Sequence, residues 1–279
     1  MRVRLLPADE AACSYYRHEQ PARVAREQHD VETLIYRGDF TIYEAPFGRI
    51  VATAEPEDGG TRITEWAEDV VVLQRPSKAS TVEMISILQS RGIAVVVDVD
   101  DDFSCLHPQH PSREHFNPTL NANCNWHHLR RACGLADLVT VTTDALAERY
   151  GGHGRVAVLR NCVPGAMLER PSHDDGRTLG WGGRAEMHPG DLEVTHGGVA
   201  EALERMPDWG FCVIGPVDGV RKGLSLREYP AASGALEMED YFEALGELDI
   251  GIVPLGDSRF NAAKSGLKGL EYAARGVPF

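Results

Sequence analysis

Two α/β domains, each with a mostly parallel sheet, are what this sequence predicts, and three observations carry the prediction. Short β-branched runs alternate with helix-like segments, a turn-rich stretch interrupts the alternation between 161 and 177, and the alternation then restarts. A length of 279 residues accommodates two ordinary domains.

Taken in order, strands are expected at 3–6 and 31–35, short and largely apolar runs. The runs at 70–73 and 93–97 are almost unbroken Val, Ile and Leu, as in parallel strands buried on both faces. Strands at 138–141 and 156–159 complete the first sheet. Helical patterns fall at 15–27, 80–91, 126–134 and 144–150, the last with Thr143 as its cap and Gly151-Gly152 as its stop. The stretch 40–64 fits neither period. Pro164, Gly165, Pro171, Ser172, His173, Asp174, Asp175 and Gly176 mark the junction, which gives domains 1–170 and 177–279. The second domain is expected to hold strands at 178–181, 211–214 and 250–254 and helices at 192–205, 239–248 and 263–275.

Composition excludes several classes. With 28 Lys+Arg against 42 Asp+Glu, the formal charge of −14 argues against nucleic acid and anionic membranes as partners. Six cysteines contain no C-x-x-C pair, and no secretory leader precedes them, which fits reduced thiols in a cytoplasmic protein. No apolar run approaches the roughly 18 residues of a membrane span.

Three segments carry residues suited to chemistry. In Val95-Val-Val-Asp98-Val-Asp100-Asp101-Asp102, carboxylates follow a buried strand at the carboxyl end of a sheet, where α/β proteins place ligands. The run reads as an acidic turn capping local amides or orienting a substrate, as hard ligands for a divalent cation, or as a phosphatase nucleophile pair. Gly180-Trp-Gly182-Gly183-Arg184-Ala185 formally satisfies a dinucleotide pattern, although Pro189-Gly190 stands where its helix should continue. A glycine turn approaching a phosphate beside Arg184 is the alternative, and a tight turn with an exposed Arg the plain one. In Lys264-Ser265-Gly266-Leu267-Lys268-Gly269-Leu270-Glu271, a helix beginning near Lys264 would offer free amides, the Lys264 ammonium and the Ser265 hydroxyl to a diphosphate. Leu267, Leu270 and Ala274 would face the core, with Lys264, Lys268 and Glu271 on a neighbouring face and Glu271 able to accept from ribose hydroxyls. An amphipathic surface helix is the competing reading. The histidines, His107-x-x-His110 and His127-His128, are not spaced as metal ligands.

These residues together resemble a known family. The segment from Asp249-Ile-Gly-Ile-Val-Pro254 through Phe260-Asn261, Lys264-Ser265, Leu267-Lys268, Leu270-Glu271-Tyr272-Ala273 and Gly276-Val-Pro278 resembles the nucleotide-sugar-binding region of GT-B fold glycosyltransferases of the broad family-four type. Matches elsewhere include Leu6-Pro-Ala-Asp9, Tyr15-Tyr-Arg17, Asp98-x-Asp100-Asp-Asp102, Gly180-Trp181, His188 and Asp191, and the opening is similar to glycosyltransferases of actinobacterial phages and their hosts.

The resemblance implies two Rossmann-like domains facing a cleft, with the acceptor in the first and a nucleotide-diphosphate sugar in the second. It implies Glu271 as the ribose ligand and Arg184 as one half of the family's Arg and Lys pair on the leaving diphosphate; the lysine of that pair is missing and Lys264 is taken in its place, with Gly182, Gly183, Ser265 and Lys268 expected to bind the donor. Tyr15, Arg17, Asp98, Asp100 and Asp101 would orient the acceptor, a protein or a glycan. The usual partner glutamate eight residues before Glu271 is Ala263 here. Transfer is expected to retain anomeric configuration without a metal or other cofactor. Relatives continue beyond the Gly-Val-Pro turn, so the second domain is expected to be incomplete, with a partner as one way to complete it. A silent nucleotide- or glycan-binding module is the alternative function. A nicotinamide oxidoreductase, with Glu201 as the nearest acidic residue, ranks last.

Overall fold

A computed structural model describes residues 1–37, 40–45, 49–54, 62–117, 119–121, 125–169 and 176–279, with the backbone alone between 40 and 65. Cys124 and the 170–175 part of the expected junction lie outside the described residues. The chain divides into two compact units. The first comprises Met1–Ser104, Glu114–Arg160 and Ala263–Ser265, and the second Cys105–Arg113, Asn161–Ala262 and Gly266–Phe279. Contacts therefore change hands at Arg160 and exchange two short segments, where the sequence reading has two continuous stretches. Among the described residues, no helix is long and apolar enough to cross a membrane.

The first unit contains β1 (Arg2–Leu6), β2 (Glu32–Ile35), β3 (Phe40–Ala45), β4 (Arg49–Ala54), β5 (Arg62–Glu65), β6 (Val70–Gln74), β7 (Ala94–Val99), β8 (Leu138–Val141) and β9 (Val156–Val158). A parallel sheet runs in the order β2-β1-β6-β7-β8-β9. Its valines explain its position: Val71, Val95, Val97, Val139 and Val141 are fully buried, as in a sheet covered on both faces. Helices Ala79–Ser90 and Asn125–Leu135 cover it with Val82, Ile85, Leu88 and Leu129. In the stretch the sequence left open, 40–64, the described residues form the antiparallel sheet β3-β4-β5, with Phe40 opposite Ala54 and Val51 opposite Glu65.

The helix expected at 15–27 is longer and interrupted. It runs as Ala12–Ser14, a π-helical turn Tyr15–Glu19, and Gln20–His29, where Asp30 stops it in the left-handed region at φ 50°. The helix Asp144–Tyr150 is capped by Thr143, whose Oγ1 accepts from the Leu146 amide at 3.3 Å.

The second unit holds β10 (Thr178–Gly182), β11 (Gly210–Ile214), β12 (Ala231–Ala232) and β13 (Ile250–Gly251) in a parallel sheet ordered β12-β11-β10-β13. Trp181, Leu192, Phe211, Val213, Val220 and Leu224 form its core. Strand β13 ends before Pro254, earlier than expected, since proline has no amide to extend the ladder. The helix expected at 192–205 splits into a 3₁₀ turn, Glu193–Thr195, and a helix, Gly198–Arg205. His196 (φ 48°) and Gly197 (φ 80°) are left-handed and break it.

Candidate functional site

In each parallel sheet the strand order reverses beside one strand, β1 in the first unit and β10 in the second. Open α/β sheets collect ligands outside the carboxyl ends at such points.

In the first unit, charge gathers there. Asp98 is 2% exposed and accepts from Arg17 through Nε at 3.0 Å and Nη2 at 2.5 Å, while Thr140 Oγ1 donates to its Oδ1 at 2.6 Å. Arg17 also donates to the Leu159 carbonyl at 2.6 Å. Asp98 thus lies within β7 rather than after it, a correction that follows from three donors making a buried carboxylate tolerable. Tyr15 and Arg17 are buried with it, Tyr15 edge-on to Tyr16 at 5.3 Å. Arg17 and Asp98 thus form a buried ion pair, and Tyr15 is buried on the same π turn as Arg17.

Arg75 follows β6 in a left-handed conformation, φ 49°. It pairs bidentately with Asp100, reaches Asp9 at 3.4 Å and donates to Cys13 Sγ at 2.8 Å. Burial alone would raise the Asp100 carboxyl, but the Arg75 charge and hydrogen bonds outweigh it and hold it below the usual range. Asp102 accepts from the Ser104 amide at 3.1 Å and lies 3.2 Å from Arg149. Asp101 meets Lys264 at 3.9 Å. Every carboxylate of the acidic run therefore has a cationic neighbour. His18, beside Arg17 on the π turn, is fully buried, and among the described residues neither ring nitrogen has a hydrogen-bond partner. Burial pushes its imidazole down to about 4.

The final helix departs from expectation. It spans Leu267–Ala274 with Gly266 as N-cap, so Lys264 and Ser265 lie in the turn before it and group with the first unit. Thr143 Oγ1 donates to the Ala263 carbonyl at 2.9 Å. That carbonyl would accept the Leu267 amide in an unbroken helix. The buried face is also different: Glu271, Tyr272, Ala274 and Arg275 are buried, whereas Leu270 is 46% exposed.

The reason lies at the end of β10. The Gly182 amide donates to Tyr272 Oη at 2.9 Å, and Lys268 Nζ donates to the Gly182 carbonyl. Glu271 is 5% exposed and accepts from Tyr241 Oη at 3.0 Å. A Cβ on Gly182 would come within 2.9 Å of that same hydroxyl, so only glycine leaves room for it. Gly183 has φ 148°, and a Cβ there would meet the Trp181 ring at 3.0 Å and Lys268 Nζ at 3.5 Å. Gly182, Gly183, Lys268 and Glu271 thus lie close together at the end of β10. Tyr241 and Tyr272 were missed, although each is an aromatic with a polar tip on an amphipathic helix.

Arg184 follows Gly183 and is directed outward, its side chain 64% exposed and paired with Glu186 at 2.8 Å. It lines a pocket of about 520 Å³ with Glu186, His188, Glu193, Asp218 and Gln109. His188 stands edge-on to Trp181 at 5.9 Å and meets Asp191 Oδ2 at 3.1 Å. Burial would raise the Asp191 carboxyl, but His188, the Gly256 amide and Asn261 together hold it below the usual range. Among the described residues, no group of three or more His, Cys, Asp and Glu side chains is arranged to hold a metal ion.

No protein-family model matches the chain, and no curated protein matches it. Solved structures do. The UDP-GlcNAc 2-epimerase of Methanocaldococcus jannaschii is similar with a TM-score of 0.51 and 12% identity, over 100% of this chain and 82% of that one. An α,α-trehalose-phosphate synthase (UDP-forming) from Burkholderia vietnamiensis gives 0.51 and 12%, over 98% and 80%. A candidate UDP-N-acetylglucosamine 2-epimerase from Listeria monocytogenes gives 0.37 and 14%, over 66% of this chain, which spans only 51% of its length. At these identities the likeness is one of fold: two Rossmann-like α/β units of the GT-B type.

Proposed function

We propose that this chain is a glycosyltransferase whose second unit binds a nucleoside-diphosphate sugar and whose first unit binds the acceptor. The observation that carries the reading is the buried Glu271 carboxylate beside the Gly182-Gly183 turn at the end of β10. A carboxylate at the end of a strand accepts from a ribose diol, while the Gly182 and Gly183 amides are held by Tyr272 Oη and the Ile214 carbonyl, which leaves the phosphates to side chains. The names of the fold neighbours, a UDP-GlcNAc epimerase and a UDP-forming synthase, support the ligand class.

In the proposed reaction the bond from the sugar's anomeric carbon to the diphosphate breaks, and its electron pair leaves with the phosphate. The acceptor hydroxyl forms the new bond on the same face, and its proton passes to the departing phosphate oxygen. Anomeric configuration is retained and no protein base is required. Arg184, exchanging Glu186 for phosphate, and Lys264 would stabilise the developing charge, with Lys268 at the turn. Tyr15, Arg17, Asp98, Asp100 and Asp101 would orient the acceptor. We assign the acidic run no divalent cation, because its carboxylates are met by Arg17, Arg75, Arg149 and Lys264.

A second reading, binding without turnover, is favoured by Ala263, which carries no carboxylate where the resembling family has one. Incubation with UDP, GDP and ADP sugars plus a glycan acceptor panel, followed by mass spectrometry, separates the two. Transfer predicts nucleoside diphosphate release and a glycosylated product, both abolished in Glu271→Ala. Binding with no release supports the second reading, and binding of none of the donors overturns both.

A further inference from the structure

Burying a carboxylate is costly unless donors hold it, so the surroundings of Glu271 define what it can accept. Tyr241 comes from helix Met238–Leu245, 30 residues away in sequence, and its hydroxyl donates to Oε2 at 3.0 Å. That hydroxyl also stands over Gly182, in the space a Cβ would need, at 2.9 Å. It therefore lies between the carboxylate and the last residue of β10. Gly182 is itself anchored through its amide to Tyr272 and through its carbonyl to Lys268. Rotation of Glu271 about its last bond would break the Tyr241 contact, so the hydroxyl is one of the groups that hold the plane of the carboxylate.

We propose that Tyr241 is a positioning residue that makes the second unit selective for ribonucleotides over 2′-deoxyribonucleotides. A carboxylate of fixed plane accepts from two vicinal hydroxyls at once, and a sugar lacking one of them loses a charge-assisted hydrogen bond. A carboxylate free to rotate follows whichever hydroxyl remains and discriminates less. This inference rests on the proposed reading of Glu271 as the ribose ligand.

The test measures the affinities of UDP, GDP and ADP and of their 2′-deoxy forms for the full chain, its Tyr241→Phe variant and its Glu271→Gln variant. For the base that binds, the wild type is expected to prefer the ribo form by about tenfold or more. Tyr241→Phe keeps the ring and the fold, shown by an unchanged melting temperature, and is expected to bring the ratio down severalfold, chiefly by weakening the ribo form. A parallel weakening of both forms, or an unchanged ratio, would overturn the inference while leaving the ribose reading intact, provided that Glu271→Gln still abolishes the preference. A wild type that binds ribo and deoxy forms equally, or binds none, overturns the ribose reading and this inference with it.

Discussion

Gly183 shows how a single residue ties fold to site. At φ 148° its backbone occupies a region that residues with a Cβ scarcely enter, and the Trp181 ring fills the adjoining space. Gly183→Ala is expected to cost about 2 kcal/mol of stability, measured by urea denaturation, and to weaken the proposed nucleotide binding as the turn is displaced. A variant as stable as the parent would show that the turn is not constrained. The glycines and Glu271 were legible because their types are tied to a spacing along one strand or one helix. Tyr241 was not, since its role depends on a partner 30 residues away and on the rotation of a different helix. The acidic run was legible as a cluster but not as a set of ion pairs: Arg17 lies 81 residues from Asp98, and Arg75 lies 25 from Asp100.

At the scale of elements, periodicity gave the helices and buried valine runs gave the strands, while interruptions escaped it. The final helix is shortened by a side chain from elsewhere, the Thr143 hydroxyl on the Ala263 carbonyl. The same hydroxyl caps Asp144–Tyr150, so one oxygen ends one segment and begins another. Thr143→Ala is expected to lower stability by about 1–2 kcal/mol, whereas Thr143→Ser, which keeps the oxygen, should recover most of it. Equal losses in both variants would assign the effect to the methyl group instead. The π turn Tyr15–Glu19 and the left-handed pair His196-Gly197 have no periodic signature, so the sequence reading extended helices across them. The antiparallel β3-β4-β5 sheet was open in the sequence because its strands are short and their pairing is set by register rather than by a buried run.

Across the whole molecule, acid stability follows from groups held in one protonation state. His18 is buried and neutral, with its imidazole pushed from 6.5 down to about 4. The unfolded chain therefore binds the extra proton as pH falls below 6.5, and the folded chain does so only near 4. Stability from this group is complete above 6.5 and lost progressively down to about 4, by about 3 kcal/mol at most. Urea midpoints taken across that window should flatten in His18→Phe, and an unchanged slope would show that His18 is not the group responsible. Asp100 and Asp191, held below the ordinary carboxylate value, contribute in a lower window, where stability is lost as pH falls through their folded values. Fold class was legible from alternation alone, whereas strand order and the exchange of Cys105–Arg113 and Ala263–Ser265 were not, because no local pattern encodes which strand neighbours which.

The central claim is that a nucleoside-diphosphate sugar is held through its ribose by Glu271. Isothermal titration of UDP, GDP and ADP sugars into the wild type and Glu271→Gln measures it most directly. One donor class should bind the wild type and lose about tenfold or more of its affinity in the near-isosteric variant, with the melting temperature unchanged. Equal affinity in the two proteins, or no binding to a folded wild type, would contradict the account.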